Sequence, residues 1–120
     1  MAKILLVDDD QDLMIVLQSR LEMSGFEVDM CSNGGDAYDK ISDNEFDLVI
    51  MDYFMPSLKG DEVCQNIREN PKFKDLPILI ITGFLDRDVP FFKSKGATDV
   101  IYKPIDKDEL IDKIKALVKA

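Results

Sequence analysis

Apolar residues gather in five short runs along the chain: Ile4–Val7, Val28–Cys31, Leu48–Met51, Ile78–Ile81 and Val100–Tyr102. The first, third and fourth are almost wholly apolar, the pattern of strands covered on both faces. The segments between them carry helical spacing. Residues 11–24 place Leu13, Leu17 and Leu21 on one stripe, with Ile15 nearly opposite and Met14 at its margin, and Gly25 stops the helix. Residues 35–43 offer Ala37, Tyr38 and Ile41, and residues 60–69 offer Val63, Cys64 and Ile67. Residues 89–95 form a short helix that starts near Val89, because Pro90 is tolerated only in a first turn. Residues 107–119 show the clearest amphipathic pattern, through Leu110, Ile111, Ile114, Leu117 and Val118. Strand and helix alternate throughout, which predicts an α/β fold of parallel strands joined by right-handed crossovers. In such a sheet, function sits beyond the carboxyl ends of the strands.

At 120 residues the chain is expected to form one domain spanning 1–120. Its formal charge of −9 argues against direct binding to nucleic acid or anionic membrane. No apolar run approaches the roughly 20 residues of a membrane span. The stretch before the triple aspartate at 8–10 is too short for a signal peptide, so the expected location is cytoplasmic. Cys31 and Cys64 have no metal-ligand spacing and read as small buried hydrophobes. The absence of histidine excludes Ser-His-Asp catalysis, imidazole-bound zinc and histidine acid–base chemistry. Residues 1–53 carry 13 acids and 3 bases, whereas residues 54–120 carry 11 acids and 12 bases, so acidity concentrates in the first half.

The predicted strand ends hold the chemistry. The first ends in Asp8-Asp9-Asp10, the third in Asp52, the fourth in Thr82-Gly83 and the fifth in Lys103-Pro104. A lone aspartate there is usually a helix cap, and Asp10 or Asp12 suits that task for the first helix. Asp8, Asp9 and Asp52 together carry −3, which a bound Mg²⁺ and Lys103 would neutralise. Mg²⁺ needs only one or two carboxylates and an anionic substrate oxygen. An ionised aspartate can then attack a phosphoryl group in line, with lysine stabilising the transferred charge and Thr82 donating a hydrogen bond.

The segments LLVDDD, MDYFMPSLKG, IITG and YKP, in this order and at these spacings, resemble the receiver domain of two-component response regulators along essentially the whole chain. The resemblance implies a flavodoxin-like doubly wound sheet of five parallel strands, order 2-1-3-4-5, with five helices. It implies that Asp52 is the phospho-acceptor and that Thr82 and Lys103 bind the phosphoryl group. It further implies that Asp8, Asp9, Asp52 and the backbone carbonyl of Phe54 hold Mg²⁺, and that the peptide bond before Pro104 is cis. The implied partners are a histidine kinase or histidine phosphotransfer protein, which supplies the phosphohistidine, and an output protein or domain that the sequence does not name. On this account the domain is a signalling acceptor rather than an enzyme, although it takes phosphoryl groups from small donors and hydrolyses its own aspartyl phosphate. Phosphorylation shifts the fourth helix–fifth strand–fifth helix face.

Three features bear on how such a domain would work. Position 100, where the family usually carries a switching aromatic, is valine, and Tyr102 lies two residues on. Movement is therefore expected in the backbone after the fourth strand, residues 83–92. The positions two residues beyond Asp52 and Thr82, which tune hydrolysis in the family, are Phe54 and Phe84, implying a long-lived phosphoryl group. Ile15, on the polar side of the first helix, is a candidate contact for the phosphoryl donor. Two other readings stay open at this point. A haloacid-dehalogenase-like phosphatase shares a strand-end Asp nucleophile, Thr, Lys and Mg²⁺, but would use Asp8 and a different chain order. A degenerate receiver that only binds partners would need a broken site.

Overall fold

The computed structural model describes residues 2–55, 58–83 and 87–118. The elements run β1 (Lys3–Val7), α1 (Gln11–Met23), β2 (Glu27–Cys31), α2 (Gly34–Asp43), β3 (Leu48–Asp52), α3 (Gly60–Glu69), β4 (Ile78–Thr82), α4 (Val89–Ser94), β5 (Asp99–Tyr102) and α5 (Lys107–Leu117), with a 3-10 turn at Pro71–Phe73. All five strands pair in parallel, in the order β2-β1-β3-β4-β5. This is the flavodoxin-like sheet with five helices that the resemblance implied. The three interior strands are the three almost wholly apolar runs, and every residue of β3 and β4 is buried.

Side chains alternate across the sheet. Leu5, Val7, Val49, Met51, Ile78 and Ile80 pack toward α2, α3 and α4, while Ile4, Leu6, Leu48, Ile50, Leu79 and Ile81 pack toward α1 and α5. Each such side chain stabilises the fold by about 1.5–3 kcal/mol relative to exposure. Cys31 and Cys64 lie in the first of these layers as free thiols, as expected of small hydrophobes. Burial pushes the thiol of Cys31 up to about 11 and that of Cys64 to about 12.

The helix boundaries follow local chemistry. Asp10, not Asp12, caps α1 by accepting from the Leu13 amide at 3.0 Å. Asn33, Asp88 and Asp106 cap α2, α4 and α5 in the same way. Gly25 closes α1 with φ of 94°, a conformation that costs other residues. Helix α4 starts at Val89, with Pro90 in its first turn, and has only six residues. Helix α5 ends at Leu117 with Val118 as its cap, one residue short of the predicted span at that point, and residue 119 lies outside the described residues.

The buried stripe of α1 differs from the expected one. It consists of Met14, Leu17 and Leu21, while Leu13 is only half-buried. Both stripes fit helical spacing. Leu13 shares a shallow recess with Val16, Lys103, Pro104 and Ile105 at the margin of the core, so Met14 is the one turned inward. The 3-10 turn was not foreseen. It buries Phe73, and its carbonyl accepts from Arg68 at 2.7 Å while the Nε of Arg68 donates to Gly96 at 3.0 Å.

Candidate functional site

Parallel pairing brings the carboxyl ends of β1, β3, β4 and β5 to one edge of the sheet. Asp8 follows β1, Asp52 ends β3, Thr82 ends β4 and Lys103 follows β5. Asp8 is 5% exposed, Asp52 8% and Thr82 0%, so three polar side chains are buried where the strands stop. Asp9 is exposed beside them.

One carboxylate oxygen from each of Asp8, Asp9 and Asp52 lies within 4.8 Å of the others. The Nζ of Lys103 stands 3.4 Å from Oδ1 of Asp52. Oδ1 of Asp8 accepts from the Asp10 amide at 2.9 Å, which fixes that carboxylate. Burial raises Asp8 to about 6, against the Asp10 amide that pulls it down, and the charge of Asp52 adds to the rise. Burial also raises Asp52, although Lys103 opposes it. The cluster thus carries more negative charge than its lysine balances, and its hard oxygen donors fit a divalent cation such as Mg²⁺.

The loop after β3 is shaped by close contact. The Gly60 amide donates to the Tyr53 carbonyl at 2.7 Å, and a Cβ on Gly60 would sit 2.9 Å from the carbonyl oxygen of Asp52. A larger residue there would displace the strand end that carries Asp52. Phe54, whose carbonyl was expected to serve the metal, holds its ring 46% exposed, edge-on to Tyr53 at 4.8 Å and beneath the Lys59 ammonium at 5.8 Å. Phe84 and residues 85–86 lie outside the described residues. The peptide bond between Lys103 and Pro104 is cis, as the resemblance implied.

The structure therefore brings Asp8, Asp9, Asp52, Thr82 and Lys103 to the same edge of the sheet. Tyr53 was missed. Its ring is 4% exposed and lies on the α4 side of the sheet. The alternation Val49, Met51, Tyr53 continues past the predicted strand and would have placed it there. Tyr102 donates its hydroxyl to the Arg87 carbonyl at 2.9 Å, and Val100 is buried at 4% exposure.

No helix among the described residues is long and apolar enough to cross a membrane. The model of the response regulator receiver domain matches residues 4–115. Response regulator ArlR of Staphylococcus saprophyticus is 36% identical over 120 residues, covering 99% of this chain and 53% of that protein. ArlR of Staphylococcus aureus strain Mu50 is 37% identical with the same coverage. The chain thus spans about half the length of these curated relatives. Among solved structures, a putative response regulator from Chloroflexus aurantiacus superimposes with a TM-score of 0.93 at 30% identity, covering 99% of this chain and 98% of that one. TrrA from Thermotoga maritima, solved in complex with Mg²⁺-BeF, gives 0.88 at 35% identity, covering 98% of this chain and 99% of that one. With its strand order, its clustered strand-end carboxylates and a family match over nearly its whole length, the chain belongs to the response regulator receiver domains of two-component signalling.

Proposed function

We propose that the chain accepts a phosphoryl group on Asp52 from a phosphohistidine donor, in a step that depends on Mg²⁺. The observation that carries this reading is the placement of Asp52 itself: buried, at a strand end, 3.4 Å from Lys103 and grouped with two further carboxylates. Lys103 pairs with Asp52, which supports Asp52 as the nucleophile rather than the Asp8 that a phosphatase of the haloacid-dehalogenase type would use. Asp8, Asp9, Asp52, Thr82 and Lys103 share one edge of the sheet, which supports a working receiver over a degenerate one. TrrA was solved with Mg²⁺-BeF, and that agrees with a metal requirement here.

Asp8, Asp9, Asp52 and the Phe54 carbonyl would hold the metal, and the ion when bound polarises the phosphoryl oxygens and neutralises carboxylate charge. Asp52 attacks phosphorus through a carboxylate oxygen, forming an O–P bond. The P–N bond of the donor breaks, and its electron pair leaves with the imidazole. Lys103 holds Asp52 in its ionised form before transfer and stabilises the phosphoryl charge afterwards. Thr82, at the end of the neighbouring strand, donates its hydroxyl to a phosphoryl oxygen. The donor supplies the histidine that this chain lacks, from a histidine kinase or a histidine phosphotransfer protein. Phosphorylation then shifts the α4–β5–α5 face toward an output protein or domain.

The test uses acetyl phosphate and mass spectrometry. One phosphoryl group should appear with Mg²⁺ and not with chelator, Asp52→Asn should abolish uptake, and Asp9→Asn should chiefly raise the metal concentration needed. Full phosphorylation of the Asp52→Asn protein would overturn the assignment.

A further inference from the structure

Helix α4 is held to the domain in an unusual way for an element that must respond to events at Asp52. It has six residues, too few for a helix to persist by its own hydrogen bonds. Its one buried side chain is Phe92, at 1% exposure. The position of α4 therefore follows the walls of the site that holds this ring.

One of those walls is Tyr53, the residue directly after Asp52. The two rings meet edge to face, with centroids 5.1 Å apart and planes at 81°. Such pairs prefer this orientation, so displacing one ring re-seats the other. Tyr53 has little freedom to move apart from Asp52. Its amide donates to the Ile81 carbonyl at 2.9 Å and its carbonyl accepts from Gly60 at 2.7 Å. A shift in the backbone at Asp52 is thus passed to the Tyr53 ring. Beyond Phe92 the contacts continue to the surface: Phe91 stands edge-on to Phe92 at 5.2 Å and lies under the Arg87 guanidinium at 5.1 Å and the Lys95 ammonium at 5.6 Å. Val100 belongs to the same buried cluster, but it is stiff about its first torsion and offers no ring to exchange between two positions.

We propose that the Tyr53–Phe92 contact couples the acceptor to α4, so that phosphorylation re-seats Phe92 and moves the surface formed by Phe91, Arg87 and Lys95. This rests on Asp52 being the acceptor.

The experiment compares wild type, Phe92→Leu, Tyr53→Leu and the double variant. Phosphorylation by acetyl phosphate is read by mass spectrometry. Amide hydrogen exchange at residues 89–97 is read with and without Mg²⁺ and beryllofluoride. Leucine keeps both sites apolar, and circular dichroism checks folding. If Phe92→Leu does not fold, Tyr53→Leu carries the test alone. Wild type should show a change in α4 protection on beryllofluoride. In Phe92→Leu, Asp52 should still be phosphorylated while the α4 response falls by about fivefold or more. Tyr53→Leu, scaled to its occupied fraction, should lose as much, and the double variant no more than either single one. A full α4 response in an occupied single variant overturns the coupling alone, as do losses that add in the double variant. Wild type that responds at Asp52 but not at α4 also overturns it. Wild type that takes up neither phosphoryl group nor beryllofluoride overturns the acceptor reading, and the coupling with it.

Discussion

The Tyr102 hydroxyl donates to the carbonyl of Arg87 at 2.9 Å, tying β5 to the segment that leads into α4. The bond joins residues 15 apart in sequence, and its acceptor lies directly before Asp88, the cap of α4. The absence of a ring at position 100 therefore does not leave the segment to its backbone alone. Tyr102 fastens its far end from a different position.

Removing that bond should loosen the segment without touching the acceptor. A hydrogen bond of this kind contributes about 1 kcal/mol, or roughly fivefold in a local opening equilibrium. Tyr102→Phe should thus raise amide exchange at residues 87–89 by about that factor in the unmodified protein. Acetyl phosphate uptake should be unchanged. Exchange at the wild-type rate would mean that the tether contributes nothing in solution.

The lifetime of the phosphoryl group should depend on Phe54. Its ring is half exposed beside the acceptor loop, packed on Tyr53 and under Lys59, and it offers no hydrogen bond to an attacking water. Phe54→Asn should shorten the lifetime several-fold, and Lys59→Ala, which removes the ammonium over the ring, should shorten it less. Loss of phosphate from the isolated phosphoprotein checks this. A lifetime equal to or longer than that of wild type in Phe54→Asn would end the shielding idea. Phe84, expected to act with it, lies outside the described residues.

The sheet was legible because β1, β3 and β4 are covered on both faces and carry nearly unbroken apolar runs; Asp8, Asp52 and Thr82 were legible because each stands where such a run stops, and Lys103 because it follows the shorter run of β5. Met14 was not, since rotation of α1 by a fraction of a turn exchanges it with Leu13 and periodicity alone does not resolve that difference. The brace from Arg68 to Phe73 and Gly96 was hidden for another reason. It runs from Arg68 to one carbonyl nearby and one distant in sequence, and any residue supplies a carbonyl. Tyr53 is harder to read because the apolar run stops at Met51 and Asp52 intervenes, although the alternation runs on.

Stability should depend on pH in an uncommon direction. Asp8 stands raised to about 6 in the folded chain, from an ordinary 3.8, so the folded state binds its proton more tightly than the unfolded state does. Ionised Asp8 therefore costs stability at pH 7.5, and the cost is relieved as pH falls through 6. The full difference amounts to about 3 kcal/mol. Asp52 is shifted the same way. Asp29 and Asp99 are partly buried, which raises them, yet hydrogen bonds from Lys40 and Lys113 hold both below the usual value. Their stabilisation is lost only below about pH 4. Without metal, the urea midpoint should rise from pH 7.5 to pH 5, and Asp8→Asn should remove much of that rise. Saturating Mg²⁺ should raise the midpoint at pH 7.5 and reverse the trend. A metal-free midpoint that falls between pH 7.5 and pH 5 would contradict the raised Asp8.

The phosphoryl donor should dock on α1. Ile15 is 59% exposed and, with Gln11, Met14, Met30, Cys31 and Ser32, lines a shallow recess beside the strand ends. Val16 is 45% exposed on the adjoining side, toward the recess that Lys103, Pro104 and Ile105 share. Scattered surface aliphatics are common and need no partner. Two neighbouring ones flanking the edge that holds Asp52 are placed to touch a donor that would phosphorylate it. Ile15→Asp puts a charge into that contact and adds to an already acidic surface, while leaving the buried stripe of Met14, Leu17 and Leu21 alone. Transfer from a cognate phosphohistidine donor should slow by about tenfold or more, since truncating or charging a contact residue costs above 1 kcal/mol where it matters. Acetyl phosphate needs no docking surface, so uptake from it should be unchanged. Val16→Asp should behave in the same way if the contact spans both sides of the helix. Equal slowing with both donors would place the effect in the acceptor site instead, and no slowing with either would leave Ile15 an ordinary surface residue.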